Sequence, residues 1–142
     1  YRIIPRAFLS ALTGQKMDLH GGGISIRSFV HINDVANATL ELATKANPGT
    51  AWHISTRESI SIIDLVKKIF LIVGSDFDEI VRIGEERLGK DQNYLLDSQS
   101  IRDSFKWSDK IKLENGLSET FSWVKNNLST LKKQNWNYQH KK

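Results

Sequence analysis

Apolar residues recur along this chain at two periods, and the switches between them mark out its elements. Steps of three and four place Ile62, Leu65, Val66, Ile69, Phe70 and Val73 on one face, between the capping residue Ser61 and the stop Gly74. That spacing predicts the most apolar helix of the chain. Ala7, Phe8, Leu9, Ala11 and Leu12 predict an earlier helix, with Pro5 at its first position and Gly14 ending it. Val35, Ala36, Ala38, Leu40 and Leu42 predict another that is capped by Asn33 or Asp34 and ends near Ala46. Asp97 or Ser98 caps a brief helix through Ile101 to Phe105. Leu113, Leu117, Phe121, Val124 and Leu128 predict a last helix from about Leu113 to Lys133 with one buried face.

Between these lie short alternating stretches. Met17–His20, Thr50–Ser55, Ile80–Ile83 and Tyr94–Leu96 read as strands, with Trp52 and Ile54 on one face of theirs and His53 on the other. A strand through Ile24, Ile26, Phe29, Val30 and Ile32 slips its alternation at Arg27–Ser28, where a bulge re-aims a side chain. Gly21, Gly22 and Gly23 precede it and supply the positive-φ backbone of a tight turn. Asn47-Pro-Gly49 is a second turn, Thr56–Ser61 a polar loop, and Gly84–Gln92 a charged loop without periodicity. The pattern is α/β, with short strands and helices packed on at least one face.

Composition narrows the function. The chain of 142 residues suits one domain with a real core, 39% hydrophobic and 25% charged as in an ordinary soluble protein. No apolar run approaches a membrane span of about 20 residues. No signal-peptide pattern opens the chain, and the missing initiator methionine suggests a piece of something longer. The absence of cysteine excludes disulfides and thiolate metal sites and favours an intracellular, cytoplasmic location. The net charge of +4 comes entirely from Lys132, Lys133, Lys141 and Lys142. No basic cluster marks the rest, so a nucleic-acid face is not expected, and the tail with Trp136 and Tyr138 reads as a loosely docked terminus.

Candidate chemistry is sparse. Gly84–Lys90 matches the first seven positions of a phosphate-binding loop, but Asp91 follows where magnesium needs Ser or Thr, and Glu85 and Glu86 would repel phosphate. Tyr138 and Lys142 have a dehydrogenase-like Tyr-x-x-x-Lys spacing, yet they lie in the tail without a nucleotide fold before them. No glycine-rich dinucleotide fingerprint is present, and His20, His31, His53 and His140 have no metal-ligand spacing. What remains are polar residues at strand ends and in loops: Arg2, His20, Arg27, His53, Arg87 and Lys90. Arg27 reads either as a solvated strand arginine or as a guanidinium held to grip a phosphate or carboxylate by two prongs.

The order of these motifs resembles a known family. "RIIPRAFLSALTGQ" is similar to a Leu-Ile-Pro helix, and "HGGGISIRSFVHINDVANA" to a glycine turn, an Arg-Asp strand and a Val-x-Asp-Val helix. "GTAWHISTRESISIIDLV" is similar to a Tyr-Asn-Ile-Gly strand with its capped helix. "RLGKDQNYLLDSQSI" is similar to an Arg-Pro-Gly-His-Asp loop, and "FKWSDKIKLENGLSETFSWVKNN" to a Leu-Gly-Trp turn and terminal helix. Together they resemble the C-terminal, substrate-binding part of extended short-chain dehydrogenases/reductases, the NAD-dependent nucleotide-sugar epimerases and dehydratases, and especially dTDP-glucose 4,6-dehydratases.

That resemblance implies a fold and a set of roles. The fold is the C-terminal portion of an extended Rossmann-type epimerase/dehydratase, with residues 1–128 binding substrate and 129–142 a basic tail. Arg27 and Arg87 correspond to the arginines that grip the diphosphate of a nucleotide sugar. Arg2 stands where the dehydratases have a lysine near the substrate, His20 where an aromatic residue lies beside the base, and His53 where an asparagine contacts the phosphates. Lys90 replaces the histidine of the Arg-Pro-Gly-His-Asp loop. Asp18 stands at a usual proline, and Ser28 at the aspartate that follows the arginine. No catalytic, cofactor-binding or metal residue is assigned. NAD is expected on the missing upstream half, together with the acid/base groups, which leaves this chain alone inactive. The parent is expected as a homodimer and the fragment as prone to self-association. A portion of an epimerase, a non-catalytic sugar-nucleotide module, and a nucleic-acid-binding tail are the alternatives.

Overall fold

In a computed structural model the structure describes residues 2–85 and 91–134. The chain forms two compact units. The first comprises Tyr1–Ile24, Ser61–Lys90 and Leu117–Lys142, and the second Ser25–Ile60 and Asp91–Gly116.

The first unit is built on two helices, α1 (Ile3–Thr13) and α3 (Ile62–Val73), which pack against each other. Each ends at a glycine in the left-handed region, Gly14 at φ 71° and Gly74 at φ 74°. The spacing predicted these stops; α1 starts two residues before Pro5, because proline is tolerated anywhere in the first turn where its missing N–H is not needed. Ser61 caps α3 as expected: its Oγ accepts the Asp64 N–H at 3.1 Å and donates to the Asp64 carboxylate at 2.5 Å. Phe8, Leu65, Val66, Ile69 and Phe70 are buried between the helices, and Phe70 meets Phe77 edge-on at 5.7 Å between ring centroids.

Beside these helices lie strands β1 (Met17–His20) and β4 (Val81–Gly84), paired in parallel with Met17 opposite Val81 and His20 opposite Gly84. Residues 77–80, expected partly as strand, form the short helix α4 (Phe77–Ile80), capped by the Asp76 carboxylate. The glycine turn after β1 holds Gly21, Gly22 and Gly23 at φ 61°, 63° and 66°. A β-carbon on Gly23 would lie 2.6 Å from Leu19 Cδ2 and 3.0 Å from the Ile63 backbone nitrogen, so only glycine fits.

The C-terminal helical stretch is broken. Helix α6 (Leu113–Asn126) is followed by α7 (Leu128–Leu131), with Asn127 between them at φ −105° and ψ 11°. The Trp123 carbonyl accepts both the Asn127 side-chain amide at 2.9 Å and the Asn127 main-chain N–H at 3.1 Å, so the first helix closes on Asn127. The face foreseen for this helix is buried: Leu117 and Val124 are covered, and Phe121 stacks on Phe8 at 5.6 Å.

In the short sheet β3–β2–β5, made of Ile60–Ser61, Ile26–Arg27 and Asn93–Tyr94, every residue but Ser61 belongs to the second unit. Strands β2 and β5 are parallel, with Arg27 opposite Tyr94. The pairing of the long alternating stretch stops at Arg27, so the Arg27–Ser28 slip ends the strand instead of bulging within it. Helix α2 (Ile32–Lys45) follows, and its cap is neither Asn33 nor Asp34. His31 Nδ1 accepts the Asn33 N–H at 3.3 Å. Asp34 is used elsewhere. Thr50–Ser55, expected as a strand, makes no ladder. Its alternation is real all the same, because Trp52 and Ile54 pack onto a core of Ala38, Ile101 and Trp107 while His53 faces outward.

Candidate functional site

The strongest sequence candidate is also the most structured. Arg27 ends β2 half-buried, and its guanidinium is fixed by main-chain carbonyls. Nη1 donates to Ile26 O at 2.7 Å and to Gln92 O at 3.2 Å, and Nη2 donates to Asp91 O at 2.7 Å. A guanidinium carries five N–H donors in a planar fork. These three bonds leave Nε–H and a second Nη2–H without an acceptor among the described residues. Nε and Nη2 define one edge of the fork, the geometry that meets a carboxylate or phosphate with two parallel bonds. Arg27 is therefore not a freely solvated strand arginine. The loop after Lys90 is tied to it, and half of the fork stays open.

Next to Arg27, Ser28 lines a cavity of about 150 Å³ with Thr56, Arg57, Asp97, Ser98 and Gln99. Arg57 Nη2 donates to Gln99 Oε1 across it at 2.8 Å. His53 lies three residues before Thr56, exposed on the outer side of its segment. In the first unit, Arg2 is exposed just before α1, and His20 ends β1 with its Nδ1 beside Gly84. Arg87 and Lys90 lie outside the described residues. The structure thus places Arg27 and His53 within one unit and Arg2 and His20 within the other.

Two charged residues of the second unit have long-range roles that the sequence pattern does not announce. Asp34 is only 2% exposed. Its Oδ2 accepts the backbone N–H groups of Lys110 at 3.0 Å and Ile111 at 2.9 Å, and its main-chain oxygen accepts the Trp107 indole N–H at 3.2 Å. The carboxylate ties the first turn of α2 to the segment that leads into α6. The second is Arg102 on α5 (Gln99–Phe105), which bonds Asp109 and lies over the Trp107 ring at 4.9 Å. Burial pushes the Asp109 carboxyl up. Hydrogen bonds from Arg102 and Thr56, its own backbone bond and the charge of Arg102 outweigh this and hold it below the ordinary aspartate value. An aspartate near a helix start and an arginine within a brief amphipathic helix are too common for spacing to single them out.

Among the described residues no group of His, Asp and Glu is placed to hold a metal ion, and no helix is long and apolar enough to cross a membrane.

Comparison with known proteins says what this arrangement is similar to. Residues 1–55 match the NAD dependent epimerase/dehydratase family. Its fold is a portion of the extended Rossmann-type architecture of epimerase/dehydratase structures. Along most of its length the chain is similar to dTDP-glucose 4,6-dehydratases. The Escherichia coli enzyme of that name is 29% identical over 136 residues, covering 89% of this chain and 38% of the enzyme. The crystal structure of the Bacillus anthracis dTDP-glucose 4,6-dehydratase in complex with NAD superposes with a TM-score of 0.83 at 25% identity, covering 90% of this chain and 40% of that one. A trifunctional UDP-glucose 4,6-dehydratase/UDP-4-keto-6-deoxy-D-glucose 3,5-epimerase/UDP-4-keto-L-rhamnose-reductase of Arabidopsis thaliana is 29% identical over 126 residues, covering 89% of this chain and 19% of the relative. The chain therefore spans less than half the length of the relatives it matches.

Proposed function

We propose that this chain is the nucleotide-sugar-binding part of an NAD-dependent sugar-nucleotide 4,6-dehydratase of the dTDP-glucose 4,6-dehydratase kind, acting in the cytoplasm. The observation that carries this reading is Arg27: a guanidinium immobilised by the Ile26, Asp91 and Gln92 carbonyls with one two-pronged edge free. Such a group loses little side-chain entropy on meeting a diphosphate, because the protein has already fixed it. Arg87 is the second diphosphate arginine. Arg2, His20, His53 and Lys90 are the further substrate contacts. For Arg2, His20, His53, Arg87 and Lys90 this rests on their match to the family motifs.

NAD belongs to the proposed activity, where it supplies a hydride acceptor. No glycine-rich phosphate cradle occurs in this sequence, so its binding is assigned to residues beyond this chain, and the chain alone is inactive. Residues 1–128 form the substrate-binding portion and 129–142 a basic tail outside it. Ile32 and Leu40 lie on one exposed stripe of α2, 70% and 65% exposed, and this stripe is the surface that packs against the cofactor half. Without that half the stripe drives self-association, whereas the parent enzyme is a homodimer.

The test is isothermal titration of the full-length protein that contains these residues, with dTDP-glucose and UDP-glucose. Arg27→Ala is expected to weaken binding about tenfold or more, the value of one charge-assisted bond pair of roughly 1.5–3 kcal/mol. Unchanged affinity for both sugars would return Arg27 to a purely structural role and remove the main support for this reading.

A further inference from the structure

Segment 50–55 pairs with no strand among the described residues, so something other than a ladder holds it. On one side the holding is apolar: Trp52 meets Phe105 edge-on at 5.0 Å, and Trp52 and Ile54 lie on the Ala38–Ile101–Trp107 cluster. At its end the holding is polar and converges on one atom. The Ser55 carbonyl oxygen accepts Ser98 Oγ–H at 2.8 Å and Arg102 Nη2–H at 2.9 Å. Arg102 Nε donates in turn to Ser98 Oγ at 3.1 Å, and Nη2 also reaches the Asp109 carboxylate. The guanidinium is stacked over Trp107 and its side chain is only 10% exposed. All these partners belong to the second unit. Arg102 is thus a rigid junction of α5, the 107–109 segment and the end of the segment that bears His53.

We propose that Arg102 is a positioning residue for nucleotide binding, acting through Ser55 to hold His53 in place. The proposal rests on the reading of His53 as a substrate contact. Its physical basis is that an exposed side chain on an unpaired segment is only as ordered as the backbone anchors on either side of it. Asn47-Pro-Gly49 provides the turn at one end, and the Ser55 carbonyl is the anchor at the other. A lysine at position 102 keeps the charge but offers a point donor in place of a fork, so it cannot hold Ser55, Ser98 and Asp109 together.

The test is a double-mutant cycle in the full-length protein, with dTDP and UDP as titrants in calorimetry. Arg102→Lys is expected to weaken binding about five- to tenfold in the otherwise native protein and less than about twofold when His53 is already alanine. Thermal melts of every variant accompany the titrations, because a general loss of stability would lower binding equally in both backgrounds. Ser98→Ala removes one of the two donors to Ser55 with little change in volume, and serves if Arg102→Lys does not fold. It is expected to show the same pattern at smaller size. An equal loss with and without His53 overturns the proposal, as does binding that His53→Ala weakens and Arg102→Lys leaves unchanged. No binding of either nucleotide by the unmodified protein would overturn the functional reading as well, which separates that failure from the other two.

Discussion

Removing the Asp34 carboxylate tests how the second unit is held. Asp34 is 2% exposed and bonds two backbone N–H groups through one oxygen, at 3.0 Å to Lys110 and 2.9 Å to Ile111. A hydrogen bond to a charged group is worth about 1.5–3 kcal/mol, and a buried donor left without an acceptor costs about 1–3 kcal/mol. The Lys110 side chain is exposed and Ile111 is half-buried, so water can recover part of the loss at the first donor. The negative charge also sits in the first turn of α2, where the helix dipole adds about 0.3–1 kcal/mol. Asp34→Ala is therefore expected to destabilise the protein by about 2–4 kcal/mol. Asp34→Asn keeps the shape and one acceptor oxygen, and is expected to cost about half as much. Urea unfolding followed by tryptophan fluorescence is a suitable assay, since the buried Trp107 donates to the Asp34 main-chain oxygen and reports on this junction. With a slope of about 2 kcal/mol per molar urea, the midpoint should fall by about 1–2 M for alanine, the slope staying constant. A shift below about 0.25 M would refute the reasoning, because the two amides would then have found other partners at no cost.

Gly23→Ala should destabilise by about 2–4 kcal/mol, combining a left-handed backbone with a β-carbon driven against Leu19 and the Ile63 backbone. Gly14→Ala, at φ 71° with nothing within 4 Å of the added carbon, should cost only the backbone share of about 1–2 kcal/mol; equal losses in thermal melts would deny the packing part. The Asp109 carboxyl titrates below its unfolded value. Its contribution to stability is thus complete above the unfolded aspartate pKa of about 3.9 and is lost as the pH falls through the lower folded value. Asp109→Asn should flatten that acid limb of the stability–pH curve, and an unchanged limb in acid titrations would count against the Arg102–Asp109 pairing as its source.

The order of elements was legible in the sequence because the signals involved are local. The burial face of Ile62–Val73, the Ser61 cap, the glycine stops at 14 and 74 and the left-handed glycine turn depend on residues within a few positions of one another, and all were observed. The alternation of Trp52, His53 and Ile54 is legible too, since burial on one face follows from side-chain period alone. Whether that segment would find a ladder partner was not encoded in it. Pairing needs a neighbouring strand in reach, and tertiary packing set Trp52 and Ile54 against Ile101 and Trp107 without one.

The same division runs through the site. Position in a strand end after a glycine turn marked Arg27, but only the folded chain brought the Asp91 and Gln92 carbonyls, more than sixty residues away, onto its guanidinium. The sequence shows only the near neighbours of Asp34, and from these it is, with Asn33, a candidate helix cap. The donors its carboxylate does accept, the backbone N–H groups of Lys110 and Ile111, lie more than seventy residues downstream, and His31 fills the cap in its place. Likewise, nothing near Arg102 in sequence announces the Ser55 carbonyl that it holds. Local physics chose the helices, turns and faces of this chain. Long-range hydrogen bonds between charged side chains and distant backbone groups, which no period in the sequence records, decided which of its charged residues became fixed points.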